Sequence, residues 1–144
     1  MSPTRISAAR QRVRERAKWQ CEYCLLAEYQ AFFPHEPDHI IAEKHGGASG
    51  FENLALSCFD CNRFKGSNIA SLDPETGEVT PLFNPRMQRW TDHFAQNGGQ
   101  IIPLTPVGRA TVQTLRLNLP DRLEVRETLS RQGRYPEEGL HNRE

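Results

Sequence analysis

Apolar positions recur at steps of three and four near the start of the chain, at Ile6, Ala9, Val13 and Ala17. The intervening run Ser7-Ala-Ala-Arg-Gln-Arg-Val-Arg-Glu-Arg-Ala has no Gly or Pro, and the stripe predicts a helix over residues 4–20. Leu25 to Phe33 is apolar and aromatic without a period and is assigned no element. His35 to Ala42 predicts a short strand, placed at a sheet edge because Pro37 has no N–H for a ladder. Lys44-His45-Gly46-Gly47-Ala48-Ser49-Gly50 reads as a loop on its glycines. Asn53 to Cys58 puts Leu54 and Leu56 on one face and predicts a second strand. Cys58 to Ile69 follows as a helix, so the central order is strand, loop, strand, helix.

Further on, Asp73-Pro-Glu-Thr-Gly77 is a turn and Asn84-Pro85-Arg86 breaks the chain again. Arg89 to Phe94 alternates, with Trp90 and Phe94 on one side, and reads as a strand. Asn97-Gly98-Gly99 turns it into a return strand over Gln100 to Leu104, making a hairpin. Thr105 and Pro106 suit the N-cap and first position of a helix running to about Leu117. A second helix starts between Asn118 and Asp121 and ends near Gly133. Trp90, Phe94, Leu115, Leu117 and Leu123 are core candidates, and residues 135–144 are expected to be a flexible tail. The fold class is α+β. The expected organisation is a basic helix at 1–20, a strand–loop–strand–helix core at 21–70, and a hairpin with two helices packed on it at 71–134.

The 144 residues fit one domain, or a small core with one appended unit. No run approaches the roughly 18 apolar residues of a membrane span, which excludes a membrane protein of the helical kind. The start of the chain is charged and has no apolar signal region, so a cytoplasmic location is expected. Net charge is zero, but it is unevenly spread. Residues 1–20 carry Arg5, Arg10, Arg12, Arg14, Arg16 and Lys18 against Glu15 alone. Residues 21–60 carry seven acids against Lys44. The basic arm could hold phosphates, and the acidic centre suits a divalent cation. Arg109, Arg116, Arg122, Arg126 and Arg131 recur along the last two helices. They read either as solvated faces balanced by Glu124 and Glu127 or as a nucleic-acid backbone surface.

All four cysteines fall in two C-x-x-C pairs, Cys21-Glu-Tyr-Cys24 and Cys58-Phe-Asp-Cys61. A reducing compartment disfavours disulfides. Two knuckles instead supply the four thiolates that a structural Zn2+ prefers. Zinc binding of this kind contributes on the order of 10 kcal/mol to folding, so loss of one cysteine is expected to unfold the core. The stretch between the knuckles holds both predicted strands, with Asp38-His39-Ile40, Gly46-Gly47 and Asn53-Leu54, and Asn62 follows Cys61 directly. Asp38 and His39 by themselves would be a surface pair, and Asn53 by itself a turn residue. Together inside the cysteine frame they mark a site.

That joint pattern, closed by Lys65-Gly66, resembles the HNH endonuclease family over roughly residues 21–67. The resemblance implies a ββα-metal finger, matching the element order read above. It implies His39 as the general base, Asp38 and Asn62 as ligands of a catalytic Mg2+ or Mn2+, and Asn53 as the residue holding the loop that orients the base. It gives Lys65 a phosphate-facing role, and Arg63 and His45 are taken with it as nucleic-acid contacts; His35 and His45 read either as contacts to DNA or substrate phosphate or as plain surface histidines. Ala42 stands where many members carry Pro, and Pro37 where an apolar residue is common.

These residue types suit phosphodiester hydrolysis. Neutral imidazole can take a proton from an attacking water, and one hard cation on oxygen ligands neutralises charge building on phosphate. Adjacent residues on a regular strand point to opposite faces, so Asp38 or His39 must sit at a strand end or bend. The resulting expectation is a metal-dependent endonuclease acting on double-stranded DNA, and the resemblance implies products with 5′-phosphate and 3′-hydroxyl. The competing readings are a zinc-stabilised nucleic-acid-binding module without catalysis and an RNA-directed nuclease. Whether two copies associate decides between nicks and double-strand breaks, and the sequence leaves it open.

Overall fold

The computed structural model describes residues 7–137. Ile6, part of the predicted stripe, lies outside them, as does the predicted tail from residue 138 onward. The first helix, α1 (Ala8–Arg16), opens with the Ser7 side chain accepting from Arg10 N. It stops four residues short of the prediction. Lys18 and Trp19 take left-handed φ values of 57° and 62°, reversing the chain so that Gln20 bridges Ala27. Of the predicted stripe, Val13 and Ala17 are buried against Leu56, whereas Ala9 is exposed.

The finger follows. Strands β1 (Glu36–His39) and β2 (Leu54–Ser57) pair antiparallel, with Asp38 opposite Ala55 and His39 opposite Leu54. Helix α2 (Phe59–Lys65) starts directly after β2. The strand–loop–strand–helix order is thus present, each element shorter than predicted. A hairpin of β3 (Ala70–Leu72) and β4 (Val79–Pro81) closes around the Asp73–Gly77 turn.

The predicted strand at Arg89–Phe94 is not formed. Trp90–His93 is instead a short helix, α3, and the strand β5 (Phe94–Asn97) begins where the prediction ended. Trp90 and Phe94 are four apart, a spacing that shares a face in a strand and in a helix alike. Their rings pack at 5.0 Å between centroids. Strand β6 (Gln100–Pro103) pairs with β5 across the predicted Asn-Gly-Gly turn. Helix α4 (Pro106–Thr114) is capped by Thr105, whose Oγ1 accepts from Gly108 N at 3.0 Å, and α5 (Pro120–Arg131) completes the chain.

A single apolar cluster joins the two halves. It runs from Tyr23, Leu25, Ile40 and Ala55 of the finger to Trp90, Phe94, Ile101, Ala110, Leu115 and Leu117. Tyr135, placed by sequence at the head of a loose tail, belongs to that cluster and is buried. Its phenol, with one apolar ring to bury and one O–H to satisfy, donates to Cys24 O at 2.7 Å. No helix among the described residues is long and apolar enough to cross a membrane.

Candidate active site and metal centre

The two knuckles meet beside the finger. The Sγ atoms of Cys21, Cys24, Cys58 and Cys61 lie within 4.8 Å of one another, all four residues are buried, and none is in a disulfide. Cys24 and Cys58 sulfurs are 3.7 Å apart. A sulfur tetrahedron with bonds of about 2.3 Å to zinc has edges of about 3.8 Å, so the cluster fits that ion. Each knuckle closes on itself in the same way. Cys24 N faces Cys21 Sγ at 3.5 Å, and Cys61 N donates to Cys58 Sγ at 3.4 Å. Cys58 is also the N-cap of α2, so the second knuckle and the helix start are one piece of structure.

The four thiols shift one another. Hydrogen bonds from Cys21, then Cys58 and Cys61, hold Cys24 well below the ordinary thiol range. Neighbouring sulfurs, Cys21 first, push Cys58 well above it, and burial does the same to Cys61. Such a cluster cannot ionise fully without a cation at its centre. Arg122 adds an outer charge. Its Nη2 donates to Cys61 Sγ at 2.9 Å and lies 3.6 Å from Cys58 Sγ. Burial works against the Arg122 charge, but Cys61, Cys24 and Cys58 outweigh it and hold its pKa above the ordinary value. The first knuckle is pinned from outside as well: Trp90 Nε1 donates to Tyr23 O at 2.9 Å, and Tyr135 to Cys24 O.

His39 is the last residue of β1 and is half-buried. Asp38, one residue earlier, turns its carboxylate to α2, where Lys65 Nζ lies 3.5 Å from Oδ2. Lys65 also donates to His39 O at 3.0 Å. Burial pushes the Asp38 carboxyl above the usual carboxylate range, and the Lys65 charge opposes this in part. Asn62 stands one turn before Lys65 on α2, on the same side of the helix. Asn62 is half-buried, and among the described residues its side-chain amide makes no hydrogen bond.

Asn53 ties down the loop that follows His39. Its Nδ2 donates to Ile41 O at 2.8 Å and Ala48 O at 2.6 Å, while its Oδ1 accepts from Ile41 N at 3.0 Å. Its backbone carbonyl accepts from Ile40 N at 2.9 Å, extending the β1–β2 ladder. The loop passes so close to Ile41 that a Cβ on Gly47 would lie 1.7 Å from the Ile41 carbonyl oxygen. Only glycine fits there. Beyond the loop, the His39 Nε2 atom lies 3.3 Å from Ser49 Oγ, and Ser49 donates to Glu43 Oε2 at 2.9 Å.

Several sequence expectations are corrected here. Lys65 does not face outward for phosphate: it is 2 % exposed and engaged by Asp38 and His39 O. His35 is not a surface histidine but fully buried, its Nε2 bonded to Leu26 O. Three of the basic-arm arginines, Arg10, Arg14 and Arg16, are engaged by the protein itself, whereas Arg12 and Lys18 are exposed and Arg5 lies outside the described residues. Arg10 pairs with Glu36, Arg14 is buried against Glu28 and His35 O, and Arg16 donates to Phe51 O and Leu54 O. Neither reading of the late arginines holds for Arg122 and Arg126. Both are buried, and Arg126 donates to Gly99 O and Leu117 O. Arg63 and His45 are exposed as expected. Arg63 pairs with Asp60, and its guanidinium covers the Phe64 ring at 4.3 Å.

Sequence reasoning missed Glu43 and Ser49 beside His39, and Arg122 beside the sulfurs. It also missed Glu22, a buried carboxylate that accepts from Leu56 N at 2.8 Å and pairs with Arg86. None of these has a local sequence signal. A cavity of about 450 Å³ lined by Arg16, Glu22, Phe51, Arg86 and Trp90 includes none of Asp38, His39, Asn53 or Asn62.

Among family models, the HNH endonuclease model matches residues 21–68. No curated protein and no solved structure matches the chain. The matched third of the sequence coincides with the knuckles, both finger strands and α2, so residues 21–68 are similar to an HNH endonuclease and include four cysteines positioned to bind a metal ion.

Proposed function

We propose that the chain is a metal-dependent DNA endonuclease with His39 as general base. The observation that carries this reading is the arrangement around His39. The residue ends a finger strand, its following loop is tied down by Asn53, and the neighbouring Asp38 is turned to the α2 side that bears Asn62. One carboxylate and one amide oxygen form a hard, sparse donor set, which suits Mg2+ or Mn2+, ions that keep several waters. Asp38 and Asn62 would hold such a cation, whose chemistry there is to neutralise charge on the phosphate and the leaving oxygen.

The chain's own residues do the rest. His39 takes a proton from water, whose oxygen then attacks phosphorus as the bond to the 3′-oxygen breaks. Asn53 keeps the loop after the base from drifting. Lys65 holds Asp38 and the His39 carbonyl together, so the carboxylate and the base keep one geometry. The cysteine cluster, with zinc bound, would anchor the β2–α2 junction at Cys58 and Cys61. Arg63 and His45, exposed on α2 and on the loop, are available to the DNA backbone.

Supercoiled plasmid cleavage by wild type and His39→Ala, with Mg2+, Mn2+ or EDTA, tests this. The expected result is metal-dependent nicking or linearisation, lost in EDTA and reduced on the order of 10²–10⁴-fold in the variant. A folded, zinc-loaded wild type that leaves the plasmid intact with either metal would overturn the duplex-DNA reading. Cleavage confined to RNA or single strands would redirect the substrate while keeping the chemistry.

A further inference from the structure

We propose that Ser49 and Glu43 are positioning residues for His39, fixing which ring nitrogen carries the proton. The inference rests on His39 being the general base and adds to that reading the two residues through which the base is set.

A serine hydroxyl has one proton to give and two lone pairs. Ser49 spends that proton on Glu43 Oε2, at 2.9 Å. A carboxylate has only acceptors to offer and cannot reverse the bond. Ser49 Oγ therefore faces His39 Nε2 with a lone pair, at 3.3 Å. The ring must then donate from Nε2, so Nε2 carries the hydrogen and Nδ1 is left with the basic lone pair. The tautomer follows from counting donors along Glu43, Ser49 and His39. When Nδ1 takes the proton of water, the imidazolium still donates from Nε2 to Ser49, and the Glu43 charge lies one hydroxyl away.

The loop is built to hold both residues. Asn53 Nδ2 grips Ala48 O, immediately before Ser49. Glu43 opens a single 3-10 turn closed by Gly46 N donating to Glu43 O at 2.9 Å. Gly47 N donates to Ala42 O at 3.0 Å, bringing the two ends of the turn together. Asn53 thus reaches the base by a short path: its amide fixes Ala48, Ala48 carries Ser49, and Ser49 receives the ring. Neither Ser49 nor Glu43 contacts the zinc cluster or Lys65 among the described residues, and both are exposed. Their placement serves the ring and not the core.

The test uses the full, zinc-loaded chain labelled with ¹⁵N at histidine. Long-range ¹H–¹⁵N imidazole spectra in mildly alkaline buffer read the tautomer directly. Wild-type His39 is expected to show the Nε2–H form alone. Ser49→Ala is expected to mix the two tautomers, and Ser49→Thr, which keeps the hydroxyl, to restore one. Glu43→Gln is expected to give a partial mixture, because an amide can donate as well as accept. In plasmid cleavage, Ser49→Ala should lower kcat by about 10–100-fold with KM held within about twofold. On a His39→Ala background it should cost nothing further, because its effect passes through the ring.

A wild-type ring in the Nδ1–H form overturns the proposal. So does a Ser49→Ala chain with wild-type tautomer and kcat, or an equal loss in Ser49→Ala and Ser49→Thr. Because the tautomer is read without substrate, a wild type that cuts nothing defeats the nuclease reading separately, and the spectra still decide the role of Ser49 and Glu43. The thermal midpoint of Ser49→Ala is expected within about 2 °C of wild type, since its side chain lies outside the core.

Discussion

The Arg122 guanidinium stands 2.9 Å from the Cys61 sulfur, carrying a charge from α5 to the four-cysteine cluster of the finger. The same side chain donates to Leu115 O at 2.7 Å and Arg116 O at 3.2 Å, the carbonyls at the end of α4. A four-thiolate zinc site carries two negative charges in excess, and Arg122 is placed to offset part of them. Arg122→Met keeps the length of the side chain and removes the charge. Zinc affinity, read by competition with a chromogenic chelator, should fall about 10–100-fold. Stability should drop by about 3 kcal/mol, since buried sulfurs and carbonyls lose a charged donor. Unchanged chelator competition would reduce Arg122 to packing.

Lys65 and Arg63 sit two residues apart on α2 with opposite fates. Lys65 is enclosed with Asp38, whereas Arg63 is exposed beside Asp60. Lys65→Met leaves the half-buried Asp38 carboxylate without its cation and should cost about 2–3 kcal/mol by urea denaturation. Arg63→Ala should stay within about 0.5 kcal/mol. Adding Asp38→Asn to Lys65→Met should recover part of the loss, because the orphaned charge is gone. Equal midpoints for the two single variants would contradict the enclosed ion pair.

The finger was legible in the sequence because its signals are local. Two C-x-x-C pairs, an Asp-His, paired glycines and two asparagines sit at short, fixed spacings, and each carries a chemical demand of its own. What escaped depends on faces and distances that sequence does not encode locally. Trp90 and Phe94 satisfy a strand and a helix equally; the chain winds Trp90–His93 into a helix whose Trp90 packs on Phe94, which in turn packs on Phe83. Lys65 reads as a surface cation until α2 turns it onto Asp38. Arg122 and Arg126 look like members of a solvated row, yet each finds carbonyls or sulfurs far away in the chain. Ser49 resembles any loop serine; its value comes from the hydrogen bonds of Asn53 that carry it to His39.

Asn53 offers a direct check on that loop. Asn53→Asp keeps the shape but replaces the donor that grips Ile41 O and Ala48 O with an acceptor that repels both. The backbone amides of Gly46 and Gly47, bonded to Glu43 O and Ala42 O, should exchange with solvent about fivefold faster or more, as expected when a partly exposed hydrogen-bond network loses about 1 kcal/mol. Amides of α5, remote from the loop, should keep their wild-type rates. Uniform acceleration everywhere would mean global destabilisation and not a local release.

Asp73 links the β3–β4 turn to α4 and gives the fold a predictable response to acid. Its carboxylate accepts from Arg109 Nε and Nη2, each at 2.9 Å, from Glu75 N at 3.0 Å and from Thr76 Oγ1 at 3.1 Å. These donors, Arg109 foremost, hold its pKa well below the usual carboxylate range. The unfolded chain, with an Asp near its ordinary value of about 3.9, therefore binds the proton first as pH falls. Stability supplied by the pair is complete above that value and drains away as the pH drops toward the folded-state pKa. Asp73→Asn removes the charge while keeping the turn's shape. The variant should melt below wild type at neutral pH, and the gap should narrow steadily from about pH 5 to pH 2. Arg109→Met should behave the same way, since it removes the other half of the pair. A gap that stays constant across that range would assign Asp73 a purely geometric part in the turn, and the charge of Arg109 would then have no share in holding α4 to the hairpin.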